Sequence, residues 1–183
     1  MIDIPTTVAY HNKNIKFKSL TVKSPNANYN GIQHAASVKY EDCTIEGQPF
    51  SYATYAVYEN CKFVQTSKGN YNIWTYGSKN ITFNNCEFNC AGKSVLIYNE
   101  GTLAASKVTF NDCEFKASET VADKAAIEID QRFTAYEVYI NGCTATGFDA
   151  GSKSGVTMWN NKMGTTGKSL KVVVDGVEQT LNN

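Results

Sequence analysis

The sequence is short of charge, of arginine and of long apolar runs. Its 183 residues carry 17 basic and 17 acidic side chains, so the net charge is zero, and Arg132 is the only arginine. Such a chain offers no basic stripe to a phosphate backbone, and we predict no nucleic-acid partner. No stretch of 18 apolar residues is present, and the N-terminus lacks the charged start and apolar run of a signal peptide. A membrane-spanning segment is therefore not predicted.

Common catalytic and metal-binding motifs are missing as well. The two histidines, His11 and His34, lie near the N-terminus, and the sequence has no HExxH or phosphate-loop motif. Cys86 and Cys90 have a spacing suited to a metal, but no second pair or nearby histidine completes a zinc site. We predict no metal and no cofactor.

The chain has enough apolar surface to fold alone. Hydrophobic residues make up 42% of it and aromatic residues 12%, which argues against disorder. A chain of this length buries roughly 70% of its unfolded surface. We predict a single domain over residues 1–183.

Five of the six cysteines share one sequence context. The segments read YEDCTI, YENCKF, FNNCEF, FNDCEF and INGCTA, with cysteines at positions 43, 61, 86, 113 and 143. These separations of 18, 25, 27 and 30 residues indicate repeats of fixed length joined by loops of variable length. Two further copies without cysteine begin at Ile15 and Val172. The sequence therefore contains seven copies of one unit.

Within each copy, apolar and polar residues alternate, which indicates strands. The inward pairs of the first strand are Ile15/Phe17, Val38/Tyr40, Ala56/Tyr58, Ile81/Phe83, Val108/Phe110, Val138/Ile140 and Val172/Val174. A one-residue corner follows each pair, at Ser19, Asp42, Asn60, Asn85, Asp112, Gly142 and Gly176. Apart from serine, these residue types readily adopt a left-handed backbone. A second strand then points its cysteine inward. Stacked cysteines direct their Cβ atoms the same way, which disfavours disulfides and predicts free, buried thiols.

A third short strand precedes each pair. Its segments are residues 32–34, 50–52, 73–76, 95–98, 127–130 and 156–159. Three short strands in about 25 residues are typical of a parallel β-helix, and the hexapeptide period of the left-handed type is absent. We therefore predict an all-β, single-stranded, right-handed parallel β-helix of about six to seven coils. Because a coil stack exposes strand edges at both ends, it is either one module of a longer solenoid or capped, or it associates end to end.

The repeats resemble those of right-handed parallel β-helix proteins, in particular a domain that recurs in predicted surface proteins of gut anaerobic bacteria. The resemblance rests on residues 71–101, on KAAIEID at 124–130 and on GVTMWNN at 155–161, and with the front half it covers nearly the whole chain. It implies the fold and an exported, extracellular or cell-surface protein, and it implies no reaction. Pectate lyases, polygalacturonases and phage tailspikes share this architecture more distantly, which is an analogy of fold alone.

The third strand supplies the candidate binding face. If Ile73, Val95, Ile127 and Val156 point inward, alternation sends the residues between them outward. Aromatic rings suit the C–H faces of sugars, while carboxylates and amides bond sugar hydroxyls. We predict a ligand-binding strip, called the aromatic strip below, made of Trp74, Tyr76, Tyr98, Glu128, Asp130 and Trp159. The alternative is that loops 99–107 and 116–126 fold over this face and bury it.

Two functional interpretations share the aromatic strip. The first is a non-enzymatic, surface-exposed, adhesin-like module that binds a glycan or another surface partner. The alternative is a carbohydrate-active enzyme. It would be a glycoside hydrolase with an acid and a base among Glu100, Glu128 and Asp130, or a polysaccharide lyase that uses Asp130 with Arg132. We favour the first, because the sequence shows no convergent catalytic set.

Overall fold

The protein is built from β-strands. The computed structural model describes residues 2–4, 14–23, 32–34, 37–49, 54–75, 79–98, 105–130, 135–149, 157–161 and 169–181, and within these ranges every helix or strand element is a strand. The strands are β1 (Ile2–Ile4), β2 (Asn14–Lys18), β3 (Thr21–Lys23), β4 (Ile32–His34), β5 (Ser37–Glu41), β6 (Thr44–Glu46), β7 (Tyr55–Glu59), β8 (Lys62–Gln65), β9 (Ile73–Trp74), β10 (Asn80–Asn84), β11 (Glu87–Cys90), β12 (Val95–Tyr98), β13 (Ala105–Asn111), β14 (Glu114–Ala117), β15 (Ile127–Asp130), β16 (Ala135–Asn141), β17 (Thr144–Thr146), β18 (Trp159–Asn161), β19 (Leu170–Val174) and β20 (Val177–Glu178).

The strands form three long sheets and one short one. Sheet I has the order β2-β5-β7-β10-β13-β16-β19-β20, sheet II has β17-β14-β11-β8-β6-β3, sheet III has β18-β15-β12-β9, and sheet IV pairs β1 with β4. Strand neighbours are parallel except for β19 and β20. Because successive repeats add successive strands to the same sheets, the sheets stack as in a β-solenoid. The prediction of an all-β fold with stacked parallel sheets is confirmed.

The repeats lie in register, so equivalent residues stack. Ile81 pairs with Ala56 on one side and with Val108 on the other, and Phe83 pairs with Tyr58 and Phe110. All six residues belong to one continuous buried core. The inward pairs of these inner copies, expected from alternation in the sequence, therefore point inward in the structure.

Aromatic rings form two ladders through this core. In the first, ring centroids are 4.9 to 5.0 Å apart along Phe17, Tyr40, Tyr58, Phe83 and Phe110. In the second, the spacing is 4.7 Å along Phe63, Phe88 and Phe115. Rings of one ladder meet rings of the other edge to face, as aromatic quadrupoles favour. The strand spacing thus sets the ring spacing.

The predicted corners have a left-handed backbone in six copies. Their φ angles lie between +49° and +61°, at Ser19, Asp42, Asn60, Asn85, Asp112 and Gly142. The corner side chains also join neighbouring coils, since Asn60 Nδ2 donates to Asp42 Oδ1 at 3.1 Å and Asn85 Nδ2 donates to Asn60 Oδ1 at 2.9 Å. Asparagine and aspartate therefore both adopt the turn and connect the stack.

The seventh copy departs from the predicted repeat. Asp175 and Gly176 both have positive φ, +48° and +81°, which is the pattern of a two-residue hairpin turn favoured by the Asp-Gly dipeptide. Strand β20 then pairs antiparallel with β19, with Val177 opposite Val174. The single-residue corner expected at Gly176 is therefore wrong, because the chain reverses there. The hairpin covers part of the last edge of sheet I, which limits further strand pairing.

The six cysteines are free, and all except Cys143 are buried. The five cysteines of the repeat stack behind the corners, and each thiol donates to the carbonyl two residues earlier at 3.3 to 3.4 Å. These thiols behave as small core residues whose weak donor is satisfied locally. The free, buried state expected from the stacking geometry is what the structure shows, with Cys143 at the partly exposed end.

Replacement of Cys86 by serine is expected to lower the free energy of unfolding by about 1 to 3 kcal/mol, because it puts a hydroxyl into an apolar stack. The Asn84 carbonyl lies 3.3 Å from the sulfur, longer than a good hydroxyl hydrogen bond. Urea denaturation of both proteins measures the difference. Cys143→Ser, at the partly exposed end, is the matched control with a smaller loss. Equal midpoints for Cys86→Ser and the parent protein would contradict the inward position of Cys86.

Candidate functional site

Sheet III carries the face on which the aromatic strip was predicted. Inward-pointing residues such as Ile73, Val95 and Ile127 alternate along its strands with residues of the opposite face. The register places the following residues on that opposite face: Trp74, Leu96, Tyr98, Glu128, Asp130 and Asn160. Trp74, Leu96, Glu128 and Asn160 lie in one row across four strands. The structure therefore brings together Trp74, Tyr98, Glu128 and Asp130 of the predicted strip.

Trp159 lies on the other face of sheet III. The register pairs it with Ile127, and its side chain belongs to the main core with 5% exposure. The sequence prediction aligned Val156 with Ile127, which is three residues out of register, and an odd shift moves every side chain to the opposite face. The predicted outward position of Trp159 is therefore wrong. Asn160 takes the place beside Glu128, and the indole gains the burial that favours a large apolar ring.

Aromatic packing covers the strip. Tyr71, Leu96 and Tyr98 form a second buried cluster, and Trp74 packs against it. The Trp74 ring meets Tyr71 at a centroid distance of 6.1 Å and Tyr98 at 5.8 Å, both edge to face. Tyr98 is only 7% exposed, whereas Trp74 keeps partial exposure. Of the predicted aromatic residues that the structure describes, Trp74 alone remains accessible on this face.

Glu128 is the polar residue at the centre of this covered face of sheet III. It is 0% exposed, and its carboxylate accepts hydrogen bonds from the Tyr71 hydroxyl and from Lys124 Nζ, the latter at 3.0 Å. Burial, together with the negative charges of Glu128 and Asp130, raises the pKa of Tyr71. The Tyr71 hydroxyl therefore stays protonated and remains a donor. Lys124 belongs to the loop at 116–126 that the sequence offered as a cover, whereas Tyr71 comes from the segment before β9.

Two buried glutamines fix the backbone of Tyr71. Gln48 Oε1 accepts a hydrogen bond from the Tyr71 amide at 2.7 Å, and Gln65 Nε2 donates to the Tyr71 carbonyl at 3.2 Å. Both polar groups of this residue are therefore held, and its ring has a set position over Leu96. The sequence did not predict the roles of these three residues. Gln48 and Tyr71 lie outside the alternating strands, where the repeat gives no signal, and Gln65 is the last residue of β8, where its partner could not be inferred.

The side-chain amide of Asn160 is buried next to Glu128 and has no hydrogen-bond partner in the described part of the chain. It is fully buried, and among the described residues no partner meets its amide oxygen or its amide nitrogen. A buried polar group without a partner costs roughly 1 to 3 kcal/mol. A buried water molecule beside Asn160 would remove this cost, since the amide offers both a donor and an acceptor.

The described carboxylates of the catalytic alternative are not open to a substrate. Glu128 binds Tyr71 and Lys124, and Asp130 is also buried. A general acid or base must reach the atom whose proton it transfers. Tyr76, Glu100 and Arg132 lie outside the described residues. The part of the proposed catalytic set that can be placed therefore contributes to packing.

Metal and membrane sites receive no support from the described ranges. Within them, no three side chains among histidine, cysteine, aspartate and glutamate come together to hold an ion. The same ranges contain no helix with the length and apolar character needed to cross a bilayer.

Comparison with known proteins yields no relative: no family model, no curated protein and no solved structure matches the chain. Fold and site together define a solenoid-like protein of stacked parallel sheets with a covered aromatic and acidic face.

Proposed function

We propose that this chain is a right-handed parallel β-helix that acts as a non-catalytic binding or adhesion module at the cell surface. Connections between parallel strands of one sheet are right-handed in nearly all proteins, which supports this hand. The surface location rests on the resemblance of the repeats to predicted surface proteins of gut anaerobic bacteria. A stack held by ladders of side chains presents its faces rigidly, which suits recognition without catalysis.

The observation that carries the binding role is the contrast between Trp74 and Glu128 on one face. Trp74 is partly exposed at one end of its row, while Glu128 is fully buried and bonded to Tyr71 and Lys124. An accessible indole is suited to a sugar ring or an apolar partner. The bonded carboxylate lacks the access that acid–base catalysis requires.

Trp74→Ala is expected to weaken glycan binding about tenfold, because an aromatic contact of roughly 1.4 kcal/mol is lost. A glycan array with labelled protein identifies the ligand, and titration with that glycan measures the change. Leu20→Ala, which removes an apolar side chain that is 45% exposed and lies on no strand of sheet III, is the control. Affinity that is identical with and without the Trp74 ring would exclude the aromatic strip as the contact.

The same preparations test the absence of catalysis. Incubation with acidic and neutral polysaccharides should release no new reducing ends and no unsaturated products. Turnover that disappears in Glu128→Gln would overturn the non-catalytic proposal and support the enzymatic alternative.

A further inference from the structure

The outer face of sheet I is open to solvent and has two hollows, in contrast to the covered face of sheet III. Tyr55, in β7, is 48% exposed. Its ring separates two hollows. One, of about 360 Å³, is lined by residues that include Lys16, Ser37 and Lys39, and the other, of about 330 Å³, by residues that include Lys79, Asn80 and Lys107.

The two hollows follow one line across the sheet. The register places Tyr55 beside Asn80, Asn80 beside Lys107 and Lys107 beside Glu137. From β2 to β16 this line crosses six strands, or about 24 Å at the strand spacing. The surface is therefore long enough for an extended chain, with an aromatic ring near its middle.

Lysines outnumber acids around the two hollows, where Lys16, Lys39, Lys79 and Lys107 face one lining acid, Glu137. Lys16 and Lys39 are paired with Glu41, at 2.7 and 3.3 Å, on the corner side of the sheet. Within the described part of the chain, however, neither Lys79 nor Lys107 forms an ion pair. Lys107 Nζ lies instead 4.5 Å from the centroid of the Tyr139 ring.

Glu137 is the acid that lines the second hollow, and it is already engaged. Its carboxylate accepts a hydrogen bond from the Tyr139 hydroxyl at 2.9 Å, and it pairs in register with Lys171 on the next strand. Among the described residues Lys79 and Lys107 have no carboxylate partner, and both lie near an exposed aromatic ring in a protein of zero net charge. This arrangement is complementary to an anionic chain.

We propose that the outer face of sheet I binds an anionic glycan. Tyr55 stacks on the face of one sugar ring, and Asn80 bonds sugar hydroxyls. Lys79 and Lys107 bind its acidic groups, which are carboxylates or sulfates. The inference rests on the proposed function for glycans as the ligand class, and it assigns a site on a different sheet from the aromatic strip.

Three polymers with the same backbone test the proposal: dextran, carboxymethyl dextran and dextran sulfate. At fixed ionic strength, calorimetric titration should show binding to at least one acidic polymer and at least tenfold weaker binding to dextran. The polymer that binds more tightly identifies the acidic group as carboxylate or sulfate. Lack of binding to both acidic polymers, or equal binding of all three, would overturn the proposal.

Variants locate the site on the protein. The double variant Lys79→Ala/Lys107→Ala should weaken binding of the acidic polymer at least tenfold, and Tyr55→Ala should weaken this binding about fivefold. The control is Lys62→Ala/Lys116→Ala, which removes the same charge from sheet II and should have less than a twofold effect. Equal losses of affinity in the two double variants would show that the polymer is attracted by positive charge in general and not by a site on sheet I, which would contradict the proposal.

Trp74→Ala separates this inference from the proposed function. On this background, Lys79→Ala/Lys107→Ala should still weaken binding of the acidic polymer at least tenfold, because Trp74 lies on sheet III and the two lysines line a hollow of sheet I. Loss of that binding in Trp74→Ala with retention in Tyr55→Ala would overturn the sheet I site and leave the aromatic strip as the binding surface.

Discussion

Phe83→Ala is expected to lower the free energy of unfolding by about 3 to 5 kcal/mol, the cost of emptying a large aromatic site in a packed core. Phe83 is fully buried, and its ring is stacked between Tyr58 at 5.0 Å and Phe110 at 4.9 Å. It also meets Phe63 and Phe88 of the second ladder edge to face. The loss is large because hydrogen-bonded strands on both sides hold the coils at their spacing and prevent the cavity from closing.

Urea denaturation followed by circular dichroism measures this loss. Phe17→Ala is the matched control, because Phe17 belongs to the same ladder at its end, is partly exposed and stacks on Tyr40 at 4.9 Å. Its expected cost is about 1 to 2 kcal/mol, in proportion to its smaller buried area. Equal costs at the two positions would contradict a continuous ladder with Phe83 at its interior.

Lys124→Met is expected to destabilise the protein by about 3 kcal/mol, because it leaves the Glu128 carboxylate buried without its cation. The side chain of Glu128 is 1% exposed and that of Lys124 is 20% exposed, so water replaces little of the lost ion pair. The Tyr71 hydroxyl remains as a donor but carries no charge.

A double variant separates the ion pair from simple packing. Lys124→Met/Glu128→Gln should recover much of the lost stability, since the neutral amide removes the buried charge while its oxygen still accepts from the Tyr71 hydroxyl. Lys68→Met is the control at the exposed pair Lys68–Glu119, where the expected loss is below about 1 kcal/mol. A loss at Lys124 as small as that at Lys68 would mean that the cover over sheet III is open to water.

The two outer faces have different consequences for recognition. On sheet III, the Tyr71 ring and the Lys124–Glu128 pair occupy the space that a ligand would need, so access is confined to the region of Trp74. On sheet I, Tyr55 and the neighbouring lysines are open to solvent. Glycan titrations with Trp74→Ala and Tyr55→Ala therefore report on two independent surfaces of one scaffold.

The strands and corners of the fold could be predicted from the sequence because each is determined by neighbouring residues. Alternation assigns the inward residues of each strand without knowledge of its neighbours, and a left-handed corner needs only a residue such as Asn60 or Gly142 that tolerates positive φ. The repeated cysteine context then sets the register from Cys43 to Cys143. Where these signals weaken, the prediction fails: near Trp159 the register slipped by an odd number, and at Gly176 the preceding Asp175 completed a hairpin turn.

The sequence by itself therefore determined the strands and the corners, which depend on residues a few positions apart, and the stacking, which follows from the repeated cysteine context. Tertiary structure decided which faces are open. Tyr71 and Lys124 cover sheet III from segments that follow no repeat, and Lys79 and Lys107 become neighbours of Tyr55 only when three coils stack. Loops of unequal length carry no periodic pattern from which their position could be predicted. The residues next to a lysine in the sequence do not show which side chains lie beside it in the neighbouring coils.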